Sequence, residues 1–582
     1  MTVLAAKLAK DTFIMTTYKL LLTSIISLAL LSCSNEQQQI LADATGLPGV
    51  ELTDRVAINE KQLLNAEATV PPMCYTKTEQ KHNPCYVCHQ AYPESNNAKS
   101  QYRYNKLSDF GLQGGYLFSE EGTQNHWSNL FIDREQWVNN ISDSAIIEYT
   151  NQDNYSDLAN RLKKMGWQGY VPDLNNYQDP ALAFDDKGFA KDNSGWVAFN
   201  YKPLPSTFWP TNGATDDVLI RLPAKFRQNK QQNNEAIYHL NLSLLELNIK
   251  QLPTISIYPI NEKLLNRDIN DDGMLSEMVQ TLSRQPHYFG DATNISVTPQ
   301  QFPKGTELMH SLRYLGIDEQ DNITVSRRIK ELRYMKKFKL LSEADIDNRF
   351  RRERKEKVEE ELPYFVNHRD EGFENGYGWK VHAFIEDYNG ELRPQSFEER
   401  MFCMGCHSAV GTTIDHTFSM ARKVTGAKGW GYINLKGMKD APSISEPGGE
   451  ILNYLKRVSG GNEFRANQEI QQKWFNDDGS LKLDEISSSD VYQLITPSKE
   501  RALKLNKAYT HIVRHQSYIY GRDPNIKPLK NVHKKVDESQ APLNIDARIS
   551  GWDIRLDWNT PAKTSTKNHP DKYAKNSKPS QK

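Results

Sequence analysis

Two pentapeptides in this sequence share one pattern, Cys85-Tyr86-Val87-Cys88-His89 and Cys403-Met404-Gly405-Cys406-His407. In a C-x-x-C-H turn the two thiols are spaced to add to the two vinyl groups of one haem, and the following histidine reaches the iron as proximal ligand. Paired cysteines also serve other chemistries. Two C-x-x-C pairs can hold zinc, and one pair can exchange with a disulfide in the thioredoxin manner. Structural zinc sites usually keep their halves close in sequence and need no histidine after each pair, and neither pentapeptide has a compact βαβ context. Haem attachment accounts for both histidines. It assigns Cys85, Cys88, Cys403 and Cys406 to two covalently bound haem c groups and His89 and His407 to their irons.

The chain has six cysteines, so two remain, Cys33 and Cys74. Cys33 ends an apolar run, Leu20 to Leu31, that follows Lys19 and gives way abruptly to the polar Ser34 to Gln39. The run is shorter than the roughly 17 to 25 residues needed to cross a bilayer as a helix, and its flanks fit a secretory signal better than a buried helix. Leu30-Leu31-Ser32-Cys33 resembles a bacterial lipoprotein box. That resemblance implies cleavage before Cys33, a lipid thioether on it and, with Ser34 rather than Asp next, an outer-membrane destination facing the periplasm. Together the export signal and the two pentapeptides resemble an exported dihaem c-type cytochrome. Cys74 keeps three readings: a buried inert thiol, a partner in an intermolecular disulfide, or a distal thiolate such as dihaem thiosulfate dehydrogenases use on one haem.

What stands across each iron from its proximal histidine decides between electron carriage and catalysis. A second histidine closes the centre, methionine raises its potential, and an open position admits a small molecule. Twelve further histidines exist. His82 and His126 are the distal candidates near the first motif, and His416 and the more distant His310 near the second, with His382 and Met420 also close in sequence. Each has a plain alternative; His310, for instance, reads equally well as a polar residue on a helix surface. His511 and His515, at i and i+4, fit a metal pair or core packing beside Ile512 and Val513.

These residues need a large frame. The chain has 582 residues, 72 basic against 73 acidic, and a mean hydropathy of -0.69. That excludes an integral membrane bundle, and the balanced charge gives no electrostatic footprint for nucleic acid. Loss of residues 1–32 removes three lysines and one aspartate, moving the net charge from -1 to -3 without altering that conclusion.

Composition divides the chain into a signal (1–32), a polar tether (33–70), a first haem region (71–195), a β-rich insert (196–300), a second haem region (301–440), a helical part (441–525) and an irregular, disordered tail (526–582). Strand signals are Trp196–Phe199, Asp217–Leu222, Ile237–Leu242 and Thr254–Tyr258. The expected fold class is α+β, with mainly helical, cytochrome c-like haem regions around the β-rich middle. Arg349–Glu361 reads as a solvated, charge-rich helix. Asp268, Asn270 and Asp272, with Gly273, begin a calcium loop, but Val279 stands where the bidentate glutamate belongs, so Ca2+ and an Asx-rich turn both remain open.

The functional expectation is a lipid-anchored dihaem cytochrome c passing electrons between a redox protein donor and acceptor in the periplasm or at the outer membrane. The alternative is a dihaem oxidoreductase with one open haem, acting on peroxide, dioxygen or a sulfur compound. Small monohaem modules resemble units of about 80 to 120 residues, so several hundred residues are surplus, which favours the enzyme. No local pattern names a catalytic acid or base.

Overall fold

The computed structural model describes residues 47–57, 63–89, 113–116, 118–359, 365–408, 413–444, 446–458, 465–537, 539–549 and 551–559. The signal segment and Cys33 lie outside these. No helix among the described residues is long and apolar enough to cross a membrane.

Twelve strands occur among the described residues: β1 (Val197–Ala198), β2 (Thr215–Asp216), β3 (Leu219–Arg221), β4 (Gln228–Asn229), β5 (Gln232–Asn233), β6 (Thr254–Ile260), β7 (Val279–Ser283), β8 (Glu307–Ile317), β9 (Ile323–Lys337), β10 (Phe373–Glu374), β11 (Trp379–Glu386) and β12 (Leu392–Pro394). Eight form one antiparallel sheet in the order β1-β3-β8-β9-β11-β10, with β2 also pairing β8 and β12 pairing β11. Two small hairpins, β4–β5 and β6–β7, stand apart. The long β8–β9 hairpin turns at Asp318, whose carboxylate accepts the amides of Gln320 and Asn322. An aspartate that bonds backbone two and four residues on fixes such a turn locally.

The expectation of mainly helical, cytochrome c-like haem regions is therefore corrected. The stretch assigned to the second haem region carries the three longest strands of the sheet, and its cysteine turn hangs from them. The strands were masked because both faces are covered. β9 buries Arg328, Lys330 and Glu331 alongside Ile329 and Leu332, so polar and apolar positions do not alternate as they do in a half-solvated strand.

Ile237–Leu242 is corrected in the opposite sense. It lies in the helix Glu235–Lys250, which Asn234 caps by accepting the Ile237 amide at 3.0 Å, and nearly all of that helix is buried. A continuous apolar run suits a buried helix or a buried strand, and length decides between them. The charge-rich segment is a helix, Glu343–Val358, opened by a Ser342–Asp345 capping box.

Residues 526–559 are irregular but packed. Val532 bridges to Thr76 and Lys535 to Gln124, and Val532, Val536, Trp552 and Ile554 join the main core. That same core takes Tyr86 and Val87 from the first pentapeptide and Cys403 and Met404 from the second. Residues separated by more than three hundred positions thus share one apolar interior.

Candidate functional site

Each pentapeptide forms a single helical turn. The His89 amide donates to the Cys85 carbonyl at 2.8 Å and the His407 amide to the Cys403 carbonyl at 3.0 Å. One turn of helix brings both thiols and the histidine to the same side. The end of each turn is held in the same way. Gln113 Nε2 donates to the His89 carbonyl at 2.6 Å, and Asn375 Nδ2 to the His407 carbonyl at 2.7 Å. Both amides are buried and tied down themselves. Gln113 bonds the Ile549 carbonyl and amide, and Asn375 Oδ1 accepts the amides of Tyr377 and Trp379.

The second turn opens onto a cavity of about 210 Å³ lined by Cys403, Cys406 and His407. His407 Nδ1 bonds the His416 carbonyl at 2.9 Å, which leaves Nε2 for a ligand. His310, on β8, lines the same cavity. Its Nδ1 bonds the Asp217 carbonyl at 2.6 Å, while its Nε2 is buried and makes no hydrogen bond. A ring nitrogen held by a carbonyl is the usual support of a metal-bound histidine, because it fixes the tautomer and the ring plane. Burial, reinforced for His310 by the Arg333 charge, pushes both imidazoles down to about 4, so both are neutral at physiological pH and able to ligate iron.

The remaining lining is apolar on one side, with Met73, Leu204, Phe208, Trp209, Leu308 and Phe418. Five cationic side chains, Lys330, Arg333, Arg422, Arg465 and Arg522, stand against two carboxylates, Glu331 and Asp523. Burial raises the Glu331 carboxyl, but the Arg333 and Arg522 guanidiniums outweigh that and hold it below the usual range. Arg422 is committed to Glu450. Lys330 is fully buried with its ammonium on the Gly213 carbonyl at 2.6 Å and over the Tyr509 ring at 4.0 Å; burial pulls it down to about 7.

The support behind His407 is built at the edge of the sheet. Asp415 and His416 both adopt positive φ, 49° and 60°, which costs free energy in non-glycine residues. Three partners hold Asp415: Lys337 by an ion pair, the Phe302 amide at 2.9 Å and the Trp379 indole on its carbonyl at 2.9 Å. The His416 ring stacks on Tyr377 at 3.8 Å and bonds the Ser408 carbonyl. His416 therefore acts on His407 through its backbone, behind the Nδ1 edge, and its ring does not line the cavity.

The first turn is packed differently. Tyr86 sits edge-on to Trp552 at 5.8 Å with Arg457 over its ring, and Asn83 caps its amide at 3.1 Å. Burial raises the Cys85 thiol to about 11 and the Cys88 thiol well above its ordinary value. The other contributors to Cys88 are Cys406, Cys74 and Cys85, so all three lie within electrostatic reach of it. No disulfide joins the five described cysteines. Residues 90–112, which follow His89, lie outside the described residues.

Of the other histidine candidates, His82 is half-buried, 3.9 Å from Glu79, with Nδ1 making no hydrogen bond, and His126 has a buried Nε2 without a partner beside Glu67. Neither is brought to the cavity. His382 bonds the Asp370 carbonyl, Met420 is core, and His511 stacks on His515 at 4.0 Å beneath Trp137.

In the acidic loop, Asp268 accepts the amides of Asn270, Asp271 and Gly273, and Asn270 donates to Asp272, which is the bonding of an Asx-rich turn. Among the described residues no group of three or more His, Cys, Asp or Glu is arranged to hold a metal ion. Gln113 and Asn375 were invisible in the sequence, since a buried amide clamp has no local signature.

A family model described as "-like lipoprotein" matches residues 58–493. A protein of Aquifex aeolicus (strain VF5), described as an uncharacterized lipoprotein, is 34% identical over 527 residues, 80% of this chain and 87% of its own. No solved structure matches the chain.

Proposed function

We propose that this chain, which belongs to that lipoprotein family, is an exported, lipid-anchored carrier of electrons that holds two covalent haem c groups. The anchor is the lipid on Cys33, and the location is the periplasmic face of the outer membrane. Redox proteins supply and remove the electrons. The observation that carries the reading is the cavity at the second turn, where two attachment thiols and two neutral histidines, each oriented by a backbone carbonyl on Nδ1, line one space.

These residues fit a haem. Cys403 and Cys406 would hold the macrocycle, His407 and His310 would be the imidazoles available to its iron, and the apolar and cationic lining residues suit a ring bearing two carboxylates. Bound there, the group supplies a one-electron couple. Asp217 and His416, through their carbonyls, keep both imidazoles in the tautomer that presents Nε2. Leu308, Phe208 and Phe418 exclude water. A second histidine in the same cavity, were it to ligate the iron, would leave no position for a substrate, and that supports carriage over catalysis at this centre.

At the first turn, Cys85, Cys88 and His89 would take the corresponding roles. The enzymatic alternative is confined to that site, where Cys74 lies within electrostatic reach of Cys88.

The test is His310→Gly in the mature holoprotein. The expected result is a change of one haem from low-spin to high-spin with new carbon monoxide binding, the other haem being unchanged. Two unaltered low-spin signals would overturn His310 as ligand. High-spin iron at the second turn of the parent protein would overturn the closed-centre reading.

A further inference from the structure

The cavity at the second turn holds more buried donors than the described chain satisfies. Trp209 Nε1, Tyr509 Oη and Arg522 Nε belong to side chains that line it, and all three atoms are buried without a hydrogen-bond partner among the described residues. A buried donor left unpaired loses its hydration and gains nothing in return, so three of them in one cavity constrain what fills it. The occupant must bring acceptors.

Strand β9 draws these groups together. Lys330 bonds the Gly213 carbonyl at 2.6 Å, at the end of the short turn that Trp209 begins, and its ammonium lies over the Tyr509 ring at 4.0 Å. Glu331, the next residue, pairs with Arg522 at 2.7 Å and with Arg333 at 2.9 Å. Two guanidiniums thus share one carboxylate, whereas the other arginines of the cavity have partners of their own, Arg465 on Asp523 and Arg422 on Glu450. A fixed positive surplus stands beside the unpaired donors. A neutral acceptor would answer the donors alone; an anionic oxygen answers the donors and the charge.

Resting on the haem reading of the second turn, we infer that this cluster seats the carboxylate edge of the macrocycle: Tyr509, Arg522 and Trp209 donate to its oxygens, and the surplus charge of Arg333 and Arg522 keeps them ionised out of water. Cys403 and Cys406 then fix the vinyl edge of the ring and the donor cluster fixes the carboxylate edge. Donors that offset carboxylate charge near an iron disfavour its ferric form, so the seat raises the midpoint potential.

The test uses the full lipoprotein in detergent, carrying haem isotopically labelled at its carboxyl carbons. Redox-difference infrared spectra and potentiometric titration are compared for the parent, Tyr509→Phe and Trp209→Phe, each variant removing one donor. The control is Tyr288→Phe, which removes a buried hydroxyl that also has no partner but is not in the cavity lining. The expected result is a shifted labelled carboxylate band and a lower midpoint for one haem in Tyr509→Phe, with the other haem unchanged and Tyr288→Phe equal to the parent. Thermal stability separates this from packing. A hydroxyl without an acceptor is lost at no cost, so Tyr509→Phe should melt lower than the parent and Tyr288→Phe should not. Trp209→Phe gives an independent reading should Tyr509→Phe fail to fold. Labelled bands and midpoints identical to the parent in both cavity variants would overturn the seat while leaving the haem in place. A mass without porphyrin on the Cys403–Cys406 peptide would overturn the haem reading itself.

Discussion

The two cysteine turns carry the same five-residue chemistry on opposite kinds of support. The second hangs from an eight-stranded sheet: Asn375 precedes β11, His310 sits on β8, and the Asp415–His416 kink is pinned by Lys337 at the end of β9. The first is held by short turns and irregular chain, with Gln113 bridging His89 to Ile549 and Tyr86 lodged against Trp552 and Arg457. Strands hold side chains in one geometry more strictly than loops do. That is why the sheet-borne turn shares its cavity with a second histidine, His310, whereas the loop-borne one leans on Ile549 of the tail. Yet each turn ends on the same device, a buried primary amide holding the histidine carbonyl.

The sharpest way to break the comparison is to remove residues 541–582. The first turn then loses the Ala547 carbonyl that accepts from Asn83 and the Ile549 backbone that holds Gln113, and the mature protein should retain one porphyrin, at the second turn; intact mass after digestion reports which peptide carries it. Retention of both would show that the tail does not support the first site.

The next largest effect comes from the amide clamps. Gln113→Leu and Asn375→Leu each leave a histidine carbonyl and neighbouring backbone groups buried without partners, at about 1 to 3 kcal/mol for each such group. Both should lower thermal stability, with local hydrogen exchange opening around residues 76–89 in the first variant and 375–417 in the second. Exchange opening at the same place in both variants would contradict separate supports.

Taken per pH unit, the smallest effects are expected from titration. Burial holds Lys330 at about 7 when folded, against 10.5 when exposed, so the unfolded chain binds more protons between those values and this group makes stability rise with pH from 7 to 10.5. His239 and His511 are held down to about 3, burial being the largest cause. Their neutral forms favour the folded chain above pH 6.5, and that contribution is lost as pH falls toward 3. Each group changes the slope by at most about 1.4 kcal/mol per pH unit. Denaturant unfolding across pH checks both, and Lys330→Met should flatten the alkaline limb alone.

Much of the local structure was legible because it is specified nearby in sequence. The C-x-x-C-H spacing, the charged helix after Ser342 and the Asx turn at Asp268 are each specified within a dozen residues. The sheet was not, because Arg328, Lys330 and Glu331 are buried by partners such as Glu386 and Arg522 that lie far away in sequence. His310 illustrates the limit. Its sequence neighbourhood suited a helix surface, and only the pairing of β8 with β3 and β9 brings it to the cavity that His407 lines. His416, nearer in sequence, contributes its carbonyl instead.

The most direct measurement of the central claim is the intact mass of the mature lipoprotein, purified from cells with active cytochrome c maturation. The expected value is the lipidated chain beginning at Cys33 plus two porphyrins retained after acid and organic extraction. A mass without covalent porphyrin, or one accounted for by zinc that a chelator removes, would contradict it.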